Sequence, residues 1–218
     1  MKRNHPILIK DKLEDKTCFP EYLSNNTLDN LQFLYVTKED TTQINRLIID
    51  KNHWQKTTFS NQQCEAIEIS DTIFDSCDFS NTEWIDSSFH RVLFKNCRLT
   101  SVNFADSYLS HCEFKQCTMP YTSFNFAKIR YTGWLSSDLS LSEFSDLDWK
   151  HCEFNDCHLE KSTWLNTTFS GLNLSSCHFE QIYFSPDKIQ GLIVNMDQMI
   201  SIGLALGMVI DEPLDSSK

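Results

Sequence analysis

The chain has 218 residues, with 19 Lys and Arg against 30 Asp and Glu for a formal net charge of −11, and 16 Phe, 9 Cys and 5 Trp beside only 5 Gly and 5 Pro. This balance excludes a basic nucleic-acid binder, which needs clustered Lys and Arg to meet phosphates, and it excludes collagen-like and Gly/Pro low-complexity chains. With 40% apolar residues the chain can bury a sizeable core, so disorder over most of its length is excluded as well.

Residues 1–20 mix Lys, Arg, Asp and Glu and read as a partly ordered arm. They hold no apolar run long enough for a signal-peptide core. The expectation is a soluble, cytoplasmic protein whose cysteines sit in a reducing compartment, where disulfides are rare. Residues 21–51 predict one irregular coil. Leu28 and Phe33 stand five apart, a slip follows with a loop near Thr37 to Thr42, and Ile44 and Ile49 then resume a five-residue step. Residues 1–51 together are the predicted arm and capping coil.

From Trp54 to Phe184 every fifth residue is apolar, 27 positions without a break. They take 13 of the 16 Phe and all five Trp. Two residues before each stands a second inward series; 21 of its 27 members are Cys, Ser, Thr, Ala or Val, including seven of the nine cysteines. A period of five fits neither a helix at 3.6 nor a strand at 2. It fits a chain that turns a corner every five residues and points one large and one small side chain inward on each side. HCEFKQC at His111 to Cys117 and HCEFNDC at His151 to Cys157 lie 40 residues apart, which supports a coil of 20 residues. Residues 52–186 then make 6.75 coils, a rod roughly 32 Å long at the ~4.8 Å spacing of stacked strands. Cysteine in the inner columns reads as a small apolar core residue.

The units CDFSN (Cys77 to Asn81), VNFAD (Val102 to Asp106) and CEFKQ (Cys112 to Gln116) resemble the pentapeptide-repeat family. The resemblance covers about three-fifths of the chain. It implies an all-β solenoid, a right-handed quadrilateral β-helix of about seven coils, closed here by a short C-terminal α-helix. It points further to quinolone-resistance-type members, which bind DNA gyrase and topoisomerase IV as mimics of duplex DNA. Some of these project loops from the β-helix; this repeat has no insertion between Asn52 and Pro186 and fits loop-free members better.

Residues 187–218 predict a cap. Asn195 can N-cap a helix from Met196 to Leu206, and Gly207 stops it. Met208 to Ile210 predict a final short strand. Met196, Met199, Ile200, Ile202, Leu204 and Leu206 leave the helix almost no polar face, so one side covers the last coil and the other meets a partner. A homodimer through this end is the expected arrangement.

Enzyme signatures are absent: no GxGxxG, P-loop, GxSxG or HExxH occurs. No cofactor or metal is expected, and His158 and His178, stacked one coil apart, read as solvated surface polars. The expected binding surface is acidic. Glu65, Glu83, Asp86, Asp106, Glu143 and Asp146 fall on one face that carries no Lys or Arg. Six carboxylates over four coil steps average about one per 4 Å, close to the ~3.4 Å phosphate spacing of one DNA strand. Tyr121, Phe126 and Tyr131 add aromatic side chains at consecutive corners of one coil, an alternative contact surface for a general interaction scaffold.

Overall fold

The computed structural model describes residues 2–8, 12–16, 18, 26–38 and 41–211. Parts of the expected arm, of the loop near 37–42, and the tail beyond Asp211 lie outside the described residues. Within them the chain winds as a β-solenoid of about eight turns. One side is an eight-stranded parallel sheet made of Glu14–Lys16, Leu31–Leu34, His53–Gln55, Ile73–Asp75, Leu93–Lys95, Glu113–Lys115, Gly133–Leu135 and Glu153–Asn155. The preceding side stacks seven strands, from Thr27–Asp29 to Asp148–Lys150. The other two sides pair more sparsely, through Gln43–Asn45, Gln63–Glu65 and Glu83–Ile85 on one and through single bridges from Thr37 to His178 on the other.

Pairing offsets are 20 residues from Ile44 onward. Before that, Leu28 meets Ile49, Phe33 meets Trp54 and Thr37 meets Thr58, each 21 apart. One extra residue therefore lies between Thr37 and Ile44. Two side chains repair the slipped coil. Asn52 is fully buried; its Nδ2 donates to the Leu28 and Asp50 carbonyls and its Oδ1 accepts the Leu31 N–H. Gln62 accepts from the Thr42 N–H and hydroxyl.

Of the 27 large positions, all but Trp149, Phe179 and Phe184 are buried. Their rings stack from coil to coil: Phe94, Phe114, Trp134 and Phe154 form a near-parallel column with centroids 4.8, 5.6 and 4.4 Å apart. Aromatic stacking at coil spacing adds to the area each ring buries. Trp149 departs because its indole N–H turns out to the Thr168 carbonyl at 2.7 Å.

The small inward series has a chemical reason beyond size. Its hydroxyls and thiols donate to the carbonyl of the large residue 23 positions earlier: Thr82 to Phe59, Ser107 to Trp84, Ser142 to Met119 and Cys77 to Trp54. A buried donor is thus satisfied without a partner side chain. The cysteines are free thiols. Burial pushes Cys112 up to about 12.

The corners explain the scarcity of Gly. Left-handed backbone recurs every five residues from Arg46 to Asn166, with φ between 45° and 61°, always at non-glycine residues. One corner column reads Lys51, Asp71, Arg91, His111, Tyr131, His151, and only then Gly171 and Gly191.

At the far end α1 (Met196–Ala205) lies across the last coil. Asn195 and Gln198 form a reciprocal capping box, and Leu206 is the C-cap. Gln198, only 3% exposed, also donates to the Leu174 and Cys177 carbonyls at the open edge of the coil. Met208 to Ile210 do not form the expected strand. The chain reverses after Gly207, whose φ is 82°, and the Met208 N–H donates to the Gly203 carbonyl, so it folds back on the helix instead of reaching a sheet edge. No helix among the described residues is long and apolar enough to cross a membrane.

Candidate functional site

The outward positions of the third side fall at residues 63, 65, 83, 85 and their repeats, with a corner at 66, 86 and onward. Glu83 stacks through Asn103 and Ser123 to Glu143, three coils on. Glu65 pairs beside Ile85. The corner column carries Asp86, Asp106 and Asp146, interrupted only by Phe126. All six predicted carboxylates are exposed and lie on this side and its corner. No Lys or Arg occupies residues 63–66, 83–86, 103–106, 123–126, 143–146 or 163–166. Cations frame it at the ends, with Arg46 at the first coil's corner and Lys161 at the preceding corner of a late one.

Asn125 ties this surface together, and periodicity alone did not single it out. Its Nδ2 donates to Glu143 Oε2 at 2.6 Å and its Oδ1 accepts the Ser145 N–H at 2.9 Å. The 20-residue column that places Asn125 beside Ser145 was the available signal.

The three corner aromatics separate. Tyr121 and Phe126, 59% and 61% exposed, border the acidic side on its two corners. Tyr131 belongs to the next corner. It is stacked between His111 and His151 at 4.9 and 4.6 Å.

Elsewhere, charges pair across coils. Arg91 chelates Asp71 through Nε and Nη2 at 2.6 and 2.5 Å, Lys95 meets Asp75, and Arg130 meets Asp148. Burial opposes ionisation of Asp71, but the Arg91 hydrogen bonds and the Ile7 N–H overcome it and hold the carboxyl below the usual range. Such pairs leave the third side as the long unpaired run of carboxylate.

At the C-terminal end Met196, Met199, Ile200, Leu204 and Leu206 are exposed. Ile202 is buried and faces the last coil, so it serves the cap rather than the free face. No cluster of three or more His, Cys, Asp or Glu side chains suited to a metal occurs among the described residues. His158 and His178 stack at 5.1 Å, with His178 against Asp156.

Residues 87–164 match the family model described as pentapeptide repeat region. No curated protein sequence matches the chain. Among solved structures, full-length QnrB1, a plasmid-mediated fluoroquinolone resistance protein, is 16% identical, with 90% of this chain and 97% of that one covered and a TM-score of 0.34. HetL, a pentapeptide repeat protein involved in heterocyst differentiation regulation from the cyanobacterium Nostoc sp. strain PCC 7120, is 12% identical over 78% of this chain and 83% of its own, with a TM-score of 0.34. The family match lies inside a five-residue register that runs unbroken from Trp54 to Phe184, so residues 87–164 are a pentapeptide repeat region within a longer run of the same period.

Proposed function

We propose that this protein is a non-enzymatic binding solenoid that occupies the DNA site of a type II topoisomerase, DNA gyrase or topoisomerase IV, as an acidic mimic of the duplex, and thereby affects fluoroquinolone susceptibility. The observation that carries the reading is the run of Glu65, Glu83, Asp86, Asp106, Glu143 and Asp146 along one cation-free side. Its carboxylates sit on a stiff frame at steps of one or two coils of ~4.8 Å each, so little order is lost when a basic groove closes on them. The resemblance to quinolone-resistance members supplies the target, and that target implies a cytoplasmic site of action. The exposed face of α1, without Ile202, supports a homodimer that doubles the length of the mimic.

The test is a gyrase supercoiling assay with and without a fluoroquinolone. The wild-type protein inhibits or protects at micromolar concentration, more weakly as salt rises. Reversing Glu83, Asp86, Glu143 and Asp146 to Lys together abolishes the effect while leaving the fold intact. An absent effect, or one that survives the four reversals, rules the reading out. For the dimer, sedimentation should shift to the monomer on Met199→Asp with Leu204→Asp.

A second reading is a protein-interaction scaffold with no topoisomerase role. The exposure of Tyr121 and Phe126 favours it. Replacing both with Ser would then abolish partner capture and leave supercoiling untouched.

A further inference from the structure

Residues 2–8 lie along the outside of the solenoid, on the corner column of Asp71, Arg91, His111, Tyr131 and His151. The Ile7 N–H donates to Asp71 Oδ1 at 3.0 Å and the Asn4 N–H to His111 Nδ1 at 3.2 Å. Asp71 and His111 are two coils apart, roughly 10 Å, which three extended residues span. The segment therefore runs straight along the rod axis.

It ends in a shaped slot. Arg3 Nη2 lies 3.1 Å from Glu113 Oε2 and Nη1 lies 3.2 Å from Glu153 Oε2. Glu113, Gly133 and Glu153 are consecutive members of one column, since Glu113 pairs with Gly133 and Gly133 with Glu153. Gly133 has no left-handed φ to require glycine. A Cβ there would stand 1.6 Å from Arg3 Nη1. The missing side chain is the room in which the guanidinium sits. A planar group with donors on opposite edges bridges two carboxylates that a point-like ammonium would meet one at a time.

We propose that Glu113, Gly133 and Glu153 form a guanidinium-binding slot, that Arg3 fills it as an intramolecular ligand, and that an extended arginine-bearing segment of a partner protein enters by displacing residues 2–8. The displaced strap frees the His111 ring, which stacks on the already exposed Tyr131 and through it on His151, and such a segment packs against this row. This surface is separate from the acidic side, so neither reading depends on the other.

Amide hydrogen exchange on the full chain tests it, because the Asn4 and Ile7 amides report the strap directly. Gly133→Ala, which the local backbone accommodates, and Arg3→Ala, which leaves the solenoid untouched, should each lower protection of both amides by about tenfold or more. A synthetic peptide of residues 2–8 added to the Arg3→Ala protein should shift the Gly133 and His111 resonances. The same peptide should do nothing to the protein carrying both substitutions. Unchanged Asn4 and Ile7 protection in either single variant overturns the slot. Absent peptide binding, or binding that is indifferent to Gly133→Ala, overturns the entry of a partner.

Discussion

Gln198 is the residue on which the end of the rod turns, and replacing it with Leu tests the account of capping. The side chain is nearly fully buried, donates to the Leu174 carbonyl at 3.0 Å and the Cys177 carbonyl at 2.7 Å, and accepts the Asn195 N–H at 3.0 Å. Leucine fills a similar volume but leaves the Cys177 carbonyl and the Asn195 N–H without partners, while the Leu174 carbonyl keeps the Cys177 N–H at 2.8 Å. A buried orphan costs about 1–3 kcal/mol, and the exposed Asn195 N–H recovers water, so the expected loss is about 1–3 kcal/mol. In a solenoid each coil answers mainly to its neighbours. The loss should therefore appear as exchange in residues 171–194 faster by about fivefold or more, with residues 91–135 unchanged. Hydrogen exchange read by mass spectrometry resolves the two regions. Gln198→Glu sharpens the test. Its ionised carboxylate would face two carbonyl oxygens, so the variant should be worse than leucine at neutral pH and recover as acid restores a donor. Unaltered exchange over 171–194, or equal loss in both regions, would refute the reasoning.

Trp134 is fully buried with its Nε1 lacking a hydrogen-bond partner among the described residues. Trp134→Phe removes that orphan while keeping the ring column, and should change urea-denaturation stability by within about 1 kcal/mol, against about 3–5 for Phe114→Ala. Thiol labelling at pH 8 should be rapid at the exposed Cys18 and slow at Cys64, Cys112 and Cys152, each of which burial pushes up to about 12; rapid labelling of Cys112 in the native protein would contradict this. Asp71 has a lowered pKa in the fold, so its contribution is complete above about pH 4 and is lost as pH falls through the folded value. Asp71→Asn should flatten that acid limb in denaturation curves and cost about 1–3 kcal/mol at pH 7 by leaving Arg91 alone.

The course of the chain was legible because the inner positions repeat. Trp54 to Phe184 mark one inward direction per side, and a single slipped residue shows as Leu28 and Phe33 falling out of step with Ile44 and Ile49. The column of Cys77, Cys97 and Cys117 was legible as small, but not as a row of donors to earlier carbonyls, since donor geometry depends on the coil behind. The strand expected at Met208 to Ile210 failed because the turn at Gly207 sends the chain back over the helix. The union of Arg3 with Gly133 joins positions 130 apart, one of them outside the repeat, and no periodicity predicts it. The six carboxylates fall on one side and its corner because outward columns inherit the inner register. Which of the other charges would neutralise one another across coils required the side chains themselves.

The 20-residue offset makes the rod countable in whole units. Excising residues 102–121 would splice Ser101 to Thr122 and leave each column continuous, giving a shorter molecule with the same four sides. Excising five would turn everything beyond the cut through a quarter revolution, so the acidic run would break and continue around the corner. Excising one would leave a single coil a residue short, a local misfit of the opposite sign to the extra residue between Thr37 and Ile44. Length in this architecture can thus change by full revolutions at little cost, while the angular address of a surface group is conserved only under that arithmetic.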